Sequence, residues 1–211
     1  MKKKELEIIL QKIEKEVKLN ENLEQYSTPA EIASDMLWIA RNDIIGKIVI
    51  DLGCGTGIFS IGSAILNAKK VIGVDIDENL VEIAKKEAKK LGLAIDFFVD
   101  DIENFNIKGE TTIMNPPFGA QYASRHADKI FLKKAMELTD CIYSLHLKNT
   151  ENFLKKFIEE NGWKICYKKK YKFPLKACLP FHKKRIVYYD VIMINLRKIL
   201  YPTKIFYSNE M

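Results

Sequence analysis

Between residues 47 and 161 short apolar runs alternate with helix-patterned segments, and few folds accommodate that rhythm. The runs "KIVIDLG", "KVIGVDI", "IDFFVDD", "TTIMN" and "CIYSLH" are of strand length and rich in β-branched residues. Apolar residues at helical spacing predict helices at about 58–67, 78–91 and 127–138 between them, and at about 151–161 after the last. Strand, helix and strand in succession make parallel neighbours. The expected fold is therefore α/β, with a mostly parallel sheet and helices on both faces. "WKICYKKKYKF" and "KRIVYYDVIMINL" follow with no helix between them, so a C-terminal antiparallel hairpin should close one edge.

The N-terminal part is helical in pattern. Leu6, Ile9, Leu10, Ile13 and Val17 recur at helical spacing within residues 2–19. A second helix should run from Thr28-Pro29 to about Arg41, with Thr28 as N-cap and Pro29 in the first helical position. With no linker or internal repeat, 1–211 reads as one domain: a helical segment over 1–45, a core over 46–198 and an aromatic tail over 199–211. The N-terminus is charged rather than carrying an apolar leader core, and a soluble, cytoplasmic protein is expected. Cys54, Cys141, Cys166 and Cys178 form no CxxC pair and the three histidines have no ligand spacing, so the cysteines are read as packing residues and no metal site is expected.

"VIDLGCGTGIFS" places Gly53, Gly55 and Gly57 after the first strand and before a helix, where absent Cβ atoms let backbone turn tightly and approach a ligand. The spacing is GxGxG rather than the dinucleotide GxGxxG, and Asp51 precedes it. Asp75 ends the next strand, positioned to accept two ribose hydroxyls. These features suit NAD or S-adenosylmethionine equally. Asp101, after the third strand, stands where a side chain can read an adenine amino group. In a doubly wound sheet the three strand ends line one crevice.

At the fourth strand end comes "NPPF". An adenine amine is a poor nucleophile because its lone pair is delocalised into the ring. The Asn115 side-chain oxygen and the Pro116 carbonyl could accept its two N–H bonds, with Pro116 and Pro117 stiffening both acceptors. Phe118 then offers a face for base stacking, on the order of 1–3 kcal/mol. A base inside a duplex could not reach this loop, so the target must be single-stranded or flipped.

Charge is unevenly spread. Lys164 to Lys204 holds twelve Lys and Arg against one acid, Asp190, although the whole chain is only +6. Such a segment fits a polyanion, nucleic acid first, and Lys168, Lys169, Lys170, Lys172, His182, Lys183, Lys184 and Arg185 are its candidate phosphate contacts, to RNA if the family resemblance given below holds. The competing reading is a solvated lysine-rich face. Tyr171, Phe173 and Phe181 are read as packing residues, His146 as structural, and "GAQYASRHADK" (119–129) as a gate over the substrate.

"DLGCGTG" with "NPPF" resembles the class I S-adenosylmethionine-dependent amino-methyltransferases, whose fold is Rossmann-like with a mostly parallel seven-stranded sheet. "LEQYSTP" (23–29), "VIGVDID" (71–77), "MNPPFG" (114–119), "YSLH" (143–146) and "FHKK" (181–184) resemble the methyltransferase-like-five family over about residues 20–197. The resemblance implies S-adenosylmethionine as cofactor and N6-methylation of an adenosine in small-subunit ribosomal RNA. It implies cofactor contacts from Gln25 and Thr28 in the N-terminal segment, and from Asp51, Gly53, Gly55, Thr56, Gly57, Ile58, Asp75 and Asp101. Asn115, Pro116, Pro117 and Phe118 fall at the substrate amine. Thr56 departs from the cysteine of the human-type pattern. Eukaryotic members take a small zinc-binding activator on a sheet edge, for which 94–99 is the expected edge strand. DNA adenine or protein glutamine methylation, and a non-catalytic RNA-binding role in ribosome assembly, are the alternatives.

Overall fold

The computed structural model describes residues 1–13, 27–118, 127–176 and 186–199. Among these, helices α1 (Lys3–Leu10) and α2 (Ala30–Ala40) precede the first strand, β1 (Ile48–Leu52). Then follow α3 (Ile58–Ile65), β2 (Lys70–Asp75), α4 (Glu78–Lys90), β3 (Asp96–Val99), β4 (Thr111–Met114), α5 (Ala127–Leu138), β5 (Cys141–Leu147) and α6 (Glu151–Glu160). Two long strands, β6 (Trp163–Lys176) and β7 (Ile186–Lys198), end the described chain. They form one seven-stranded sheet in the order β3-β2-β1-β4-β5-β7-β6. The pairings from β3 to β5 are parallel; β7 is antiparallel to both β5 and β6.

The expected class and the terminal hairpin are both present. β7 inserts between β5 and β6, which leaves β6 at the free edge. Side-chain alternation splits the core into two layers. Val49, Ile113, Leu145 and Met193 face the layer that holds α1, α2 and α3, whereas Ile50, Ile142, Ile192 and Ile194 face α5 and α6. α1 contributes Leu6 and Leu10, both fully buried. Residues 14–19 of the predicted first helix lie outside the described residues. A Cβ added at Gly62 would sit 2.3 Å from the Leu37 Cδ1, so the glycine in α3 is what lets α2 pack this closely.

Two expectations change. α2 begins at Ala30, with Pro29 in the capping position and no side-chain cap, because the Thr28 hydroxyl is engaged elsewhere. Cys166 is exposed rather than packed: the β6–β7 register shifts between Ile165 and Tyr167, and the extra residue at the bulge turns outward. Cys54 and Cys141 are buried as expected, and Cys178 lies outside the described residues. No group of metal-ligating side chains occurs among the described residues, nor is any helix long and apolar enough to cross a membrane.

At the sheet end remote from the glycine loop, Asp43 accepts hydrogen bonds from Tyr143 (2.6 Å) and Arg197 (2.5 Å). It joins the helix–β1 connection to β5 and β7. Burial alone would raise its carboxyl pKa, but the Tyr143 and Arg197 bonds hold it below the usual range. Asp43→Ala leaves both donors unpaired and is expected to cost about 2–3 kcal/mol in urea unfolding at pH 7, with cofactor binding unchanged. The folded pKa is depressed, so the wild-type contribution is present above the unfolded carboxylate pKa and is lost as pH falls through the folded value.

Candidate active site

Asp51 pairs with Gly73 of β2 on one side and Ile113 of β4 on the other. Two residues further along each strand stand Gly53, Asp75 and Asn115, so alternation brings all three to one level and one face of the sheet. Asp75 and Asn115 are two strand spacings apart, roughly 10 Å. The strand order reverses direction at β1, which makes the crevice between β1 and β4 the place for a ligand.

The glycine loop is built as its sequence requires. Gly53, Gly55 and Gly57 have φ of 68°, 53° and 85°, in the left-handed region that favours glycine. A Cβ on Gly57 would lie 3.0 Å from Ala84 Cβ, whereas a Cβ on Gly55 would meet nothing within 4 Å. Gly57 therefore serves the packing of α3 on α4, and Gly55 borders open space. Thr56 lies between them and Ile58 begins α3. Asp75 accepts the Gly55 N–H (2.8 Å) on one oxygen and the Asp77 N–H (3.0 Å) on the other. The residue assigned to ribose thus also pins the loop, with one further lone pair on each oxygen facing away from those bonds. Burial raises its pKa against the pull of the backbone donors of Asp77, Gly55 and Ile76.

Asp51 is strongly perturbed. It is 1 % exposed and accepts the Ser60 N–H (2.8 Å) and hydroxyl (2.6 Å) on one oxygen. The other oxygen is buried and unpartnered. Burial pushes its carboxyl up to about 7 against the Ser60 bonds, with the nearby Asp75 charge adding to the rise. An orphaned carboxylate oxygen beside a glycine loop suits a ligand ammonium group. Asp101 lies two residues past β3, where it accepts the Glu103 N–H (2.9 Å) and shapes a turn at the crevice rim.

The NPPF stretch closes the other side. Asn115 Nδ2 donates to Thr28 Oγ1 (3.0 Å), and Asn115 Oδ1 is buried without a partner. Thr28, read as a helix cap, instead fixes the amide so that its acceptor is the free end. Pro116 is buried and Pro117 half-buried. Phe118 departs from the expected open platform: it is 7 % exposed and packs edge-on against Phe173, with ring centroids 5.6 Å apart. A base can stack there only after that cover shifts.

The hairpin reaches the same rim. β5 ends its pairing at Leu147 with Val191, and β7 and β6 run on past it. Phe173, in that extension, carries the contact to Phe118. The basic run is less bare than its sequence. Lys168 pairs with Glu151, Lys169 with Asp35 and Lys172 with Asp190, while Lys170 is exposed. Gln25, His182, Lys183, Lys184 and Arg185, and 119–126 of the predicted gate, lie outside the described residues. His146 is buried, bonded to Ser144, and pushed down to about 3 by burial. It points to the sheet face opposite Asn115 and stays neutral.

The family description Ribosomal protein L11 methyltransferase (PrmA) matches residues 34–112. An uncharacterised protein from Methanocaldococcus jannaschii is 41 % identical over 215 residues, 96 % of this chain and 97 % of that one. The rRNA N(6)-adenosine-methyltransferase METTL5 of Danio rerio is 37 % identical over 198 residues, 89 % of this chain and 94 % of its own. The chain belongs to the METTL5 family. A solved structure of a candidate RNA methyltransferase from Pyrococcus horikoshii superposes with a TM-score of 0.88 at 36 % identity, over 95 % of this chain and 99 % of that one.

In this METTL5-family chain the sequence reading missed Ser60, which half-satisfies Asp51, and Asp35, which gathers Lys3, Lys169 and the Tyr171 hydroxyl. Ser60 falls nine residues after Asp51, one turn into α3, so the pairing was discoverable once that helix was placed. The Asp35 cluster joins α1, α2 and β6 and has no local signature.

If the free Asp51 oxygen takes the ammonium of S-adenosylmethionine, cofactor affinity should fall by up to about tenfold per pH unit below 7 and level off above it. Asp51→Asn should flatten that profile in calorimetric titrations. It should also raise the melting point of the free protein at pH 8. The folded pKa lies above the unfolded one, so ionised Asp51 costs stability once pH exceeds that range.

Proposed function

We propose that this protein transfers the methyl group of S-adenosylmethionine to the N6 amine of an adenosine in RNA, with small-subunit ribosomal RNA as the substrate. The observation that carries the reading is the Asn115 amide, anchored through its nitrogen on Thr28 and left with a buried, unpaired oxygen. An orphaned acceptor in that position fits an N–H of the incoming base. The family relationship supports RNA adenosine over DNA or a protein amide.

The residues present fit the cofactor. Gly55 leaves room beside the backbone, Asp75 offers acceptors for ribose, and Asp51 offers its free oxygen to the amino-acid ammonium. Gln25, Thr56, Gly57, Ile58 and Asp101 complete the proposed binding set, with 1–45 covering it. When bound, S-adenosylmethionine supplies an activated sulfonium methyl group. The chain's own work is orientation. Asn115 Oδ1 and the Pro116 carbonyl accept the two N6 hydrogens and draw the lone pair out of conjugation. Pro116 and Pro117 keep the acceptors from drifting. As the N–C bond forms and the C–S bond breaks, the surplus N6 proton passes to water along the Asn115 contact; no strong base is required. His146 lies on the wrong face and is neutral.

Among the described residues β3 pairs with β2 alone, and its other edge is open, with Phe98 and Val99 39 % and 47 % exposed. This edge is the proposed seat of a small zinc-binding activator adding a strand. The protein acts in the cytoplasm in this reading.

Labelled S-adenosylmethionine incubated with small-subunit RNA, duplex DNA and total protein should place label in N6-methyladenosine from the RNA digest alone. Label confined to protein or DNA would overturn the substrate. Asn115→Ala should lower kcat at least 100-fold with cofactor affinity within about twofold, since it removes the amine contact and the bond to Thr28 but leaves the glycine loop, Asp51 and Asp75 in place. Thr28→Val, which frees the amide to rotate, should lower kcat by about tenfold, and Thr28→Ser should restore it.

A further inference from the structure

A cleft of about 470 Å³ opens between α2 and the free edge of β6, lined by Lys3, Glu31, Ile32, Asp35, Lys169, Tyr171, Lys172 and Tyr188. Neither the crevice nor the methyl-transfer chemistry uses it. We infer that this cleft is a subsite for an unpaired nucleotide flanking the target adenosine, with the base on Tyr188 and the phosphate on Lys172 and Lys3. The inference rests on RNA being the substrate.

Position is the first support. α2 begins two residues after Thr28, which holds Asn115, and Tyr171 stands two residues before Phe173, which packs on Phe118. α2 and β6 therefore run from the border of the proposed target-base site to the cleft.

The chemistry of the lining is the second. Tyr188 is 61 % exposed and, since it pairs with Pro174, shares its sheet face with Lys172 and Asp190. An aromatic surface interleaved with cations suits single-stranded nucleic acid, because every base has a face to stack and every linkage a negative charge. Among the described residues Lys172 is held by Asp190 alone, and both members of that pair are more than half exposed, so phosphate can replace the carboxylate at little cost. Asp35 is not free to repel an anion: Lys3, Lys169 and the Tyr171 hydroxyl all donate to it, and their bonds hold its pKa down against burial. Glu31 is exposed on the first turn of α2, where an amino-bearing base edge is a better neighbour than phosphate. The lysines on β6 also discourage another protein strand from pairing with this edge.

The test uses the full-length protein, a fluorescent single-stranded 12-nucleotide RNA for affinity, and small-subunit RNA for methylation kinetics. Tyr188→Ala should weaken RNA binding and raise KM for RNA about tenfold, with kcat at saturating RNA, S-adenosylmethionine affinity and melting point unchanged. Tyr188→Phe should stay within about twofold of wild type, because stacking does not need the hydroxyl. Lys172→Ala should reduce the slope of log affinity against log salt by about 0.7. Wild-type RNA affinity in Tyr188→Ala overturns the subsite, as does an equal defect in Tyr188→Phe or a parallel loss of cofactor binding. If wild-type protein binds the oligonucleotide in a Tyr188-dependent way yet methylates no RNA, the substrate assignment fails and the flanking subsite falls with it, whereas RNA methylation with wild-type affinity in Tyr188→Ala overturns the subsite alone.

Discussion

The register around β1 is the constraint on which the rest depends. Asp51 lies opposite Gly73 and Ile113, and from that single alignment the glycine loop, the Asp75 carboxylate and the Asn115 amide reach the same rim and the same face. A slip of one residue in either pairing would turn Asp75 or Asn115 to the opposite layer, into the α5 and α6 packing. The register is secured by apolar content: Val49, Ile113 and Leu145 fill one layer and Ile50, Ile142 and Ile192 the other, so a slip would exchange whole faces. Hydrophobic patterning places the chemistry here before any polar contact refines it.

Polar contacts then set what each group is able to do. Ser60 satisfies one oxygen of Asp51 and leaves the other, and Thr28 satisfies the nitrogen of Asn115 and leaves the oxygen. In both cases a buried partner fixes the side chain while one acceptor stays unmet. Such atoms destabilise the free protein. They are regained when a ligand supplies the missing donor, which couples fold stability to binding at both ends of the crevice.

Much of this could be read from residue order. The alternation of apolar runs foretold the parallel sheet, the hairpin and nearly every helix, because each strand is long enough and β-branched enough to carry its own signal. GxGxG, Asp75 and "NPPF" fell at strand ends and so at one crevice. What escaped was the tertiary use of polar side chains. Thr28 has every local mark of an N-cap, and only the chain's return at Asn115, 87 residues later, claims its hydroxyl. Phe118 follows two prolines and looks exposed in sequence, yet Phe173 from a distant strand covers it. Lys168, Lys169 and Lys172 form a basic stripe in sequence, and their acidic partners come from three separate elements.

The central claim is that Asn115 Oδ1 receives the amine of the target adenosine. It is tested most directly by a structure of the protein with S-adenosylhomocysteine and an adenosine-containing RNA. The account predicts the adenine N6 at about 2.7–3.2 Å from Asn115 Oδ1, with Nδ2 still on Thr28. An adenine seated in the crevice with its N6 bonded elsewhere, or Asn115 turned away from Thr28 to meet it, would contradict the account.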